Sequence, residues 1–416
     1  MTAHAYRRPD CRLCHGTRLE PVLELTPTPL ADAYVPPERA SEPQPVFPLD
    51  MYLCRDCGFV QLLDVVQPQE IYVDYIYETV SSLGLVDHFD AYAAEVLDRI
   101  RPPEGSLVVD VGSNDGTLLR SFKTRGMTVL GIDPAVEIAR RATENGVETL
   151  PEFLTVETAR RIREERGPAA IVTANNVIAN IDDLDEVVAA VRELLAPDGV
   201  LVFESFYLGD LVRNLVFDFF YHEHISAFAV GPLEPFFRGH GLELVDALRV
   251  PTKGGSLRYT VQLAGGGRPV SPSVVELREE ERRQGLATPE LFQAFEERIE
   301  SAKRDVLDYL RPLKEDGRSV AGYGASATTT TLVYHFELGD LLDCFLDDYP
   351  AKQGLLSPGL HIPVLPSEAL YERRPDYVVV MAWRYWEPIV ARHPRYVEAG
   401  GTFVVPMPEL RVVRGG

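Results

Sequence analysis

Between residues 105 and 206 the chain alternates apolar runs of strand length with stretches of helical spacing, and few folds accept that alternation. SLVVDVG, TVLGID, AIVTANNV and GVLVFESF read as strands with helices between them. Such a succession gives an α/β fold with a parallel, doubly wound sheet. A helix leads in: VDHFDAYAAEVLDRIR sets Val86, Phe89, Tyr92, Ala93, Val96, Leu97 and Ile100 on one face, and PPEG at 102–105 ends it.

The pattern repeats further on. From about residue 246, GGSLRYTVQLAG alternates like a strand pair, and a long charged helix is expected from about Val274 to Leu313. SVAGYGAS, LLDCFLDD, YVVVMAW and TFVVPM then read as strands of a second, Rossmann-like α/β unit. A chain of 416 residues exceeds one ordinary core. The expected domains are 1–70, 71–245 and 246–416. The first is rich in proline, buries little apolar surface by itself and needs a staple.

The staple is written in cysteine. Cys11 and Cys14 form CRLC, and Cys54 and Cys57 form CRDC. Two residues between thiolates let one turn present both sulfurs to one metal, and two such turns complete a tetrahedral Zn2+ site. Four ligands leave no open position, so the zinc is expected to be structural. Cys344 stands alone in an apolar strand, where core packing is expected.

VVDVGSNDGTLL at 108–119 is a strand, a tight turn and a helix start. Asp110, Gly112 and Gly116 give a DxGxxxG spacing, with Asn114 between the glycines. The next strand ends in Asp133, placed to accept hydrogen bonds from both hydroxyls of a ribose. The loop lacks the GxGxxG that cradles a pyrophosphate and adds an acidic residue, which suits a cationic cofactor, S-adenosylmethionine, over a dinucleotide. Asn175 and Asn176 end the fourth-strand region beside that cleft. Glu152 and Phe153 fit either the adenine edge or a turn.

FDFFYHEHISAF at 217–228 packs Tyr221, His222, Glu223 and His224 together. Methyl transfer to carbon requires a base, and histidine titrates near neutrality with a carboxylate able to orient it. In a strand, 222 and 224 share a face; a turn would mix them. Tyr72, Tyr75 and Tyr77 fit two roles equally, closing over a sulfonium by cation–π attraction or packing between domains. In the third segment, Ser326 and Thr328 to Thr331 follow a glycine-rich turn at a helix start, where phosphate oxygens are welcome.

A formal net charge of -22 argues against a nucleic-acid substrate or an anionic membrane surface. No run approaches the roughly 18 apolar residues of a membrane span, and MTAHAYRRPD has no apolar run of a signal peptide, so a cytoplasmic enzyme is expected.

Together, CRLC/CRDC, DVGSNDG, YHEH, GGSLRY, GYGA and KQGLLSPGLHIPV resemble, in order and over nearly the whole chain, the nucleotide-sugar C-methyltransferases of bacterial antibiotic deoxysugar pathways. LLAPDGVLVFE resembles the matching region of class I methyltransferases. The resemblance implies a zinc-binding domain, a class I methyltransferase sheet and a C-terminal Rossmann-like domain holding a nucleoside diphosphate, with dTDP expected. It implies C-methylation of a nucleotide-linked 4-keto-deoxysugar at C3 or C5 through an enolate. His224 matches the general base, Tyr221 and Glu223 its companions, and Tyr75 a tyrosine near the reacting groups. Two departures stand out: Asn180 in NVIANID, where relatives carry histidine, and SATTTTL after GYGA, where relatives have a lysine. Asparagine donates a hydrogen bond but shuttles no proton near pH 7. Methylation of oxygen or nitrogen on a related sugar or metabolite is therefore the alternative. Asp133 speaks against a catalytically silent scaffold.

Overall fold

The computed structural model describes residues 5–72 and 84–415. Tyr75 and Tyr77 lie outside them, and Tyr72 ends the short helix Pro68–Tyr72. The lead-in helix, Leu85–Ile100, buries Phe89, Tyr92, Ala93 and Val96. It stops at Arg101, which takes a left-handed conformation before two prolines that cannot continue it.

The middle sheet has seven strands in the order Leu242–Val250, Ser256–Leu263, Leu195–Phe206, Ala169–Thr173, Leu107–Val111, Thr128–Ile132, Thr149–Leu150. Five run parallel, while Ser256–Leu263 pairs antiparallel with both neighbours. This is the class I methyltransferase sheet. Order reverses between Leu107–Val111 and Ala169–Thr173, which opens a crevice at their carboxyl ends. GGSLRYTVQLAG is one strand, not a pair: its partner is Leu242–Val250, and the boundary expected near 246 falls inside that strand. The expected single helix is two, Pro272–Gln284 and Pro289–Glu315. Gly285 caps the first at φ +75 and Pro289 opens the second.

The C-terminal sheet repeats the doubly wound plan with six strands: Val364–Pro366, Cys344–Asp347, Val320–Tyr323, Tyr377–Val380, Thr402–Val405, Arg411–Arg414. The last is antiparallel, and order reverses between Val320–Tyr323 and Tyr377–Val380. Cys344 is buried in this sheet as expected.

In the N-terminal segment, Leu19–Leu23, Met51–Cys54 and Val60–Leu62 form an antiparallel sheet. Its fourth strand is Ser226–Ala227, from the middle of the chain, paired with Val60–Leu62. The loop between the cysteine pairs leaves this sheet for the C-terminal domain. There Thr330 Oγ1 donates to the Ala31 carbonyl and Tyr34 Oη to that of Ala325.

Candidate active site

The four cysteine sulfurs lie within 4.8 Å of one another, with Cys11–Cys57 and Cys14–Cys54 at 3.6 Å. A tetrahedron of sulfurs about a zinc at 2.3 Å has edges of about 3.8 Å, so the quartet fits that ion. The two turns share one conformation. His15 N–H donates to the Cys11 carbonyl and Gly58 N–H to that of Cys54, with His15 and Gly58 both at positive φ. Each backbone reversal brings two thiols to one point. Between the first pair, Arg12 is 1% exposed and points inward. Its guanidinium meets Asp182 at 2.8 Å, Gln61 at 3.0 Å, and the carbonyls of Leu62 and Ile225. The metal site is thereby tied to the residue after His224.

A cavity of about 740 Å³ lies where the carboxyl ends of the two α/β sheets converge. The middle sheet contributes Gly112, Asn114, Asp133, Asn175 and Asn176; the C-terminal sheet contributes Ser326, Thr328 and Arg384. Tyr221, Glu223, His224 and Asn180 complete the wall. The volume is within the range of small-molecule sites.

Gly112 and Gly116 take φ +70 and +77, and a Cβ on Gly112 would come within 2.8 Å of Val177. Asp133 accepts the Asn114 N–H at 2.8 Å on one oxygen and the Ala135 N–H at 2.9 Å on the other. Burial raises its pKa and these N–H groups oppose the rise. Each oxygen keeps a lone pair for a hydroxyl. This pocket of acceptors, without a pyrophosphate cradle, suits the ribose of S-adenosylmethionine. Asp110 and Gly116 stand behind the wall. Asp110 accepts Thr173 Oγ1 at 2.6 Å and burial pushes it up to about 7, while Gly116 caps the helix Thr117–Lys123. Asn175 Oδ1 accepts the Glu204 N–H, and Asn176 bends at φ +57. Phe153 is exposed at the cavity wall, and Glu152 is held by Arg161.

YHEH lies in a turn, so Tyr221 and His224 meet: Tyr221 Oη is 3.1 Å from His224 Nε2. His224 Nδ1 lies 2.8 Å from the Phe219 carbonyl, which accepts only, so Nδ1 carries the hydrogen and Nε2 the lone pair. A backbone carbonyl therefore orients the imidazole, in place of the expected carboxylate of Glu223. Burial, then the Lys253 charge, pulls His224 down to about 3, keeping it neutral. Burial pushes Glu223 up to about 8, against the pull of Lys253 and Lys352. His222 lines the same cavity, with its Nε2 3.2 Å from the Pro48 carbonyl, and burial holds it at about 4. Asn180 ends a short 3-10 turn, its Oδ1 buried and without a hydrogen-bond partner among the described residues.

The threonine run does less than expected for phosphate. Thr329, Thr330 and Thr331 spend their hydroxyls on the carbonyls of Gly324, Ala31 and Phe220. Ser326 and Thr328 alone of the run reach the cavity. Sequence reasoning passed over Lys253, Lys352 and Arg384, three cations of the wall. Lys253 precedes the quoted GGSLRY, Lys352 opens KQGLLSPGLHIPV and Arg384 follows YVVVMAW, so all three sat beside or within segments already singled out without being read as site cations.

The sheet order, the glycine turn with its acidic ribose site and the four-sulfur cluster define a zinc-containing, S-adenosylmethionine-dependent methyltransferase. Family models match in succession: a zinc binding domain over residues 11–72, a methyltransferase domain over 86–247 and a C-methyltransferase C-terminal domain over 251–408. C-methyltransferase NovU of Streptomyces niveus is 35% identical over 405 residues, 97% of this chain and 96% of the relative. The chain belongs to this C-methyltransferase family. A ubiquinone biosynthesis O-methyltransferase of Pasteurella multocida is 32% identical over 24% of this chain and 46% of its own length. A solved S-adenosylmethionine-dependent methyltransferase from Clostridium acetobutylicum covers 43% of this chain and 92% of its own, at 15% identity and a TM-score of 0.35.

Proposed function

We propose that this C-methyltransferase methylates a nucleotide-linked 4-keto-deoxysugar at the carbon beside the ketone, C3 or C5, with His224 as general base. The observation that carries the reading is His224 itself. Its Nε2 carries no hydrogen and accepts from Tyr221 Oη at 3.1 Å, and both side chains line the cavity that Asp133 also lines. A proton taken from carbon needs a neutral base at that place.

Bound S-adenosylmethionine supplies an electrophilic methyl group on sulfur. The protein's part is to hold and deprotonate the acceptor. Asp133 grips the cofactor ribose, with Gly112, Asn114, Asn175 and Asn176 around the remainder. His224 Nε2 takes the carbon-bound proton; the C–H electron pair becomes the enolate, which forms the new C–C bond as the C–S bond breaks. Tyr221, hydrogen-bonded to Nε2, swings its hydroxyl toward the substrate when Nε2 is engaged. The nucleoside diphosphate lies toward the hydroxyls of Ser326 and Thr328 and the cations Lys352 and Arg384, donors that suit phosphate oxygens. Deoxysugar assembly for an antibiotic is the setting this substrate implies.

Mass spectrometry of product formed in deuterated water tests the reading. C-methylation removes a carbon-bound proton, and substrate recovered part-way carries deuterium at that carbon. A product retaining every carbon-bound hydrogen means transfer to oxygen or nitrogen. Asn180 favours that second reading, because an amide supplies hydrogen bonds and no proton relay.

A further inference from the structure

The turn at 252–255, which joins the last two strands of the middle sheet, is held in a costly conformation. Lys253 has φ +55 and ψ +27, followed by Gly254 at φ +87 and Gly255 at φ +129. Glycine adopts such angles readily; lysine does not. Surrounding groups fix the shape. Gly255 N–H donates to the Thr252 carbonyl at 2.9 Å, Asn214 Nδ2 to that of Gly254 at 2.9 Å, and Tyr207 N–H to that of Gly255 at 3.1 Å. A Cβ on Gly255 would strike Asp210. Strain so firmly imposed on a non-glycine residue is a mark of function, and here it delivers the Lys253 side chain to the cavity wall.

Three described cations line that wall, and two are committed. Lys352 Nζ pairs with Asp32 at 2.7 Å and donates to the Ala325 carbonyl. Arg384 is clamped on Asp218 at 2.8 Å. Lys253, among the described residues, has no hydrogen bond or ion pair. Burial lowers its pKa, Glu223 and Glu204 favour its charge, and Arg384 opposes it. Its field also reaches His224.

We propose that Lys253 is a catalytic residue whose ammonium donates to the ketone oxygen of the acceptor and stabilises the negative charge that gathers there. As His224 Nε2 takes the proton, the C–H pair moves into the C=C bond and the carbonyl pair onto oxygen. The ammonium keeps its proton and neutralises that oxygen. A fixed cation at a developing oxyanion acts in the transition state more than in the ground state. This inference rests on the C-methylation proposed above.

The test uses full-length enzyme, S-adenosylhomocysteine and a thymidine-diphosphate-linked 4-keto-6-deoxysugar in deuterated water. Deuterium entering beside the ketone is followed by mass spectrometry. Lys253→Met is expected to slow exchange roughly 10²-fold or more, and Lys253→Arg to stay within about tenfold of wild type. Lys253→Gly, which suits the turn's φ, covers the case in which methionine disturbs the fold. It is expected to lose exchange, regain it with added methylammonium, and bind S-adenosylmethionine as before. Exchange by Lys253→Gly at the wild-type rate overturns the assignment while leaving the C-methylation reading intact. A wild-type enzyme that neither exchanges nor methylates this substrate overturns both.

Discussion

His224 donates from Nδ1 to the Phe219 carbonyl and accepts at Nε2 from the Tyr221 hydroxyl, so its tautomer is fixed before any ligand arrives. His224→Ala should lower turnover roughly 10²–10⁴-fold and leave S-adenosylmethionine affinity unchanged by calorimetry. A variant with wild-type turnover would end the proposed role. His222 serves the fold, and its pH signature differs. Its buried ring resists protonation until about pH 4, whereas in the unfolded chain it takes a proton near pH 6.5. Its contribution to stability is therefore complete above pH 6.5 and is lost as pH falls toward 4. Denaturant titrations should show wild type losing stability relative to His222→Gln by about 1.4 kcal/mol per pH unit across that window. The residue types at both positions were legible in YHEH. Which ring pairs with Tyr221 was not, because the segment is a turn in which both histidines line the cavity and only their hydrogen bonds separate the two.

Among elements, the zinc sheet does more than fold the first seventy residues. Ser226–Ala227, two residues beyond His224, completes that sheet, and Leu62 N–H donates to the Ile225 carbonyl at 2.9 Å. Arg12, sitting between two metal ligands, reaches both that carbonyl and Asp182. Arg12→Met removes one partner of a buried ion pair and should cost about 3 kcal/mol in unfolding free energy. Stripping the metal with a chelator should lower both melting temperature and turnover, since the same contacts position the turn of His224. Unaltered turnover in metal-free enzyme would show that the zinc sheet and the turn are independent. The cysteine spacing foretold the cluster; no spacing foretells that a strand from residue 226 joins a sheet built around residue 60.

At the scale of the whole molecule, two doubly wound sheets face one another across one cavity. Asp218, fully buried, pins them by accepting from Trp383 Nε1 at 3.0 Å and Arg384 Nη1 at 2.8 Å. The loop between the cysteine pairs straps the outside. Asp218→Ala leaves Arg384 uncompensated and should cost about 3 kcal/mol. It should also raise KM for the nucleotide-sugar while leaving S-adenosylmethionine affinity nearly unchanged, a split that steady-state kinetics and calorimetry resolve. Equal loss of both affinities would mean that the pin supports the cavity as a whole. The amino-acid order alone determined what depends on neighbours a few positions away: the strand and helix periods, the glycine turn, the aspartate after the next strand, and the paired thiols. Long-range packing decided the rest. It turned the Thr330 and Thr331 hydroxyls from phosphate to the carbonyls of Ala31 and Phe220, brought Lys253 and Arg384 to the cavity, and set Arg12 on Asp182. Local sequence carries no signal for such contacts, because their energy arises between groups from a few tens to more than two hundred positions apart that meet only once both sheets have formed.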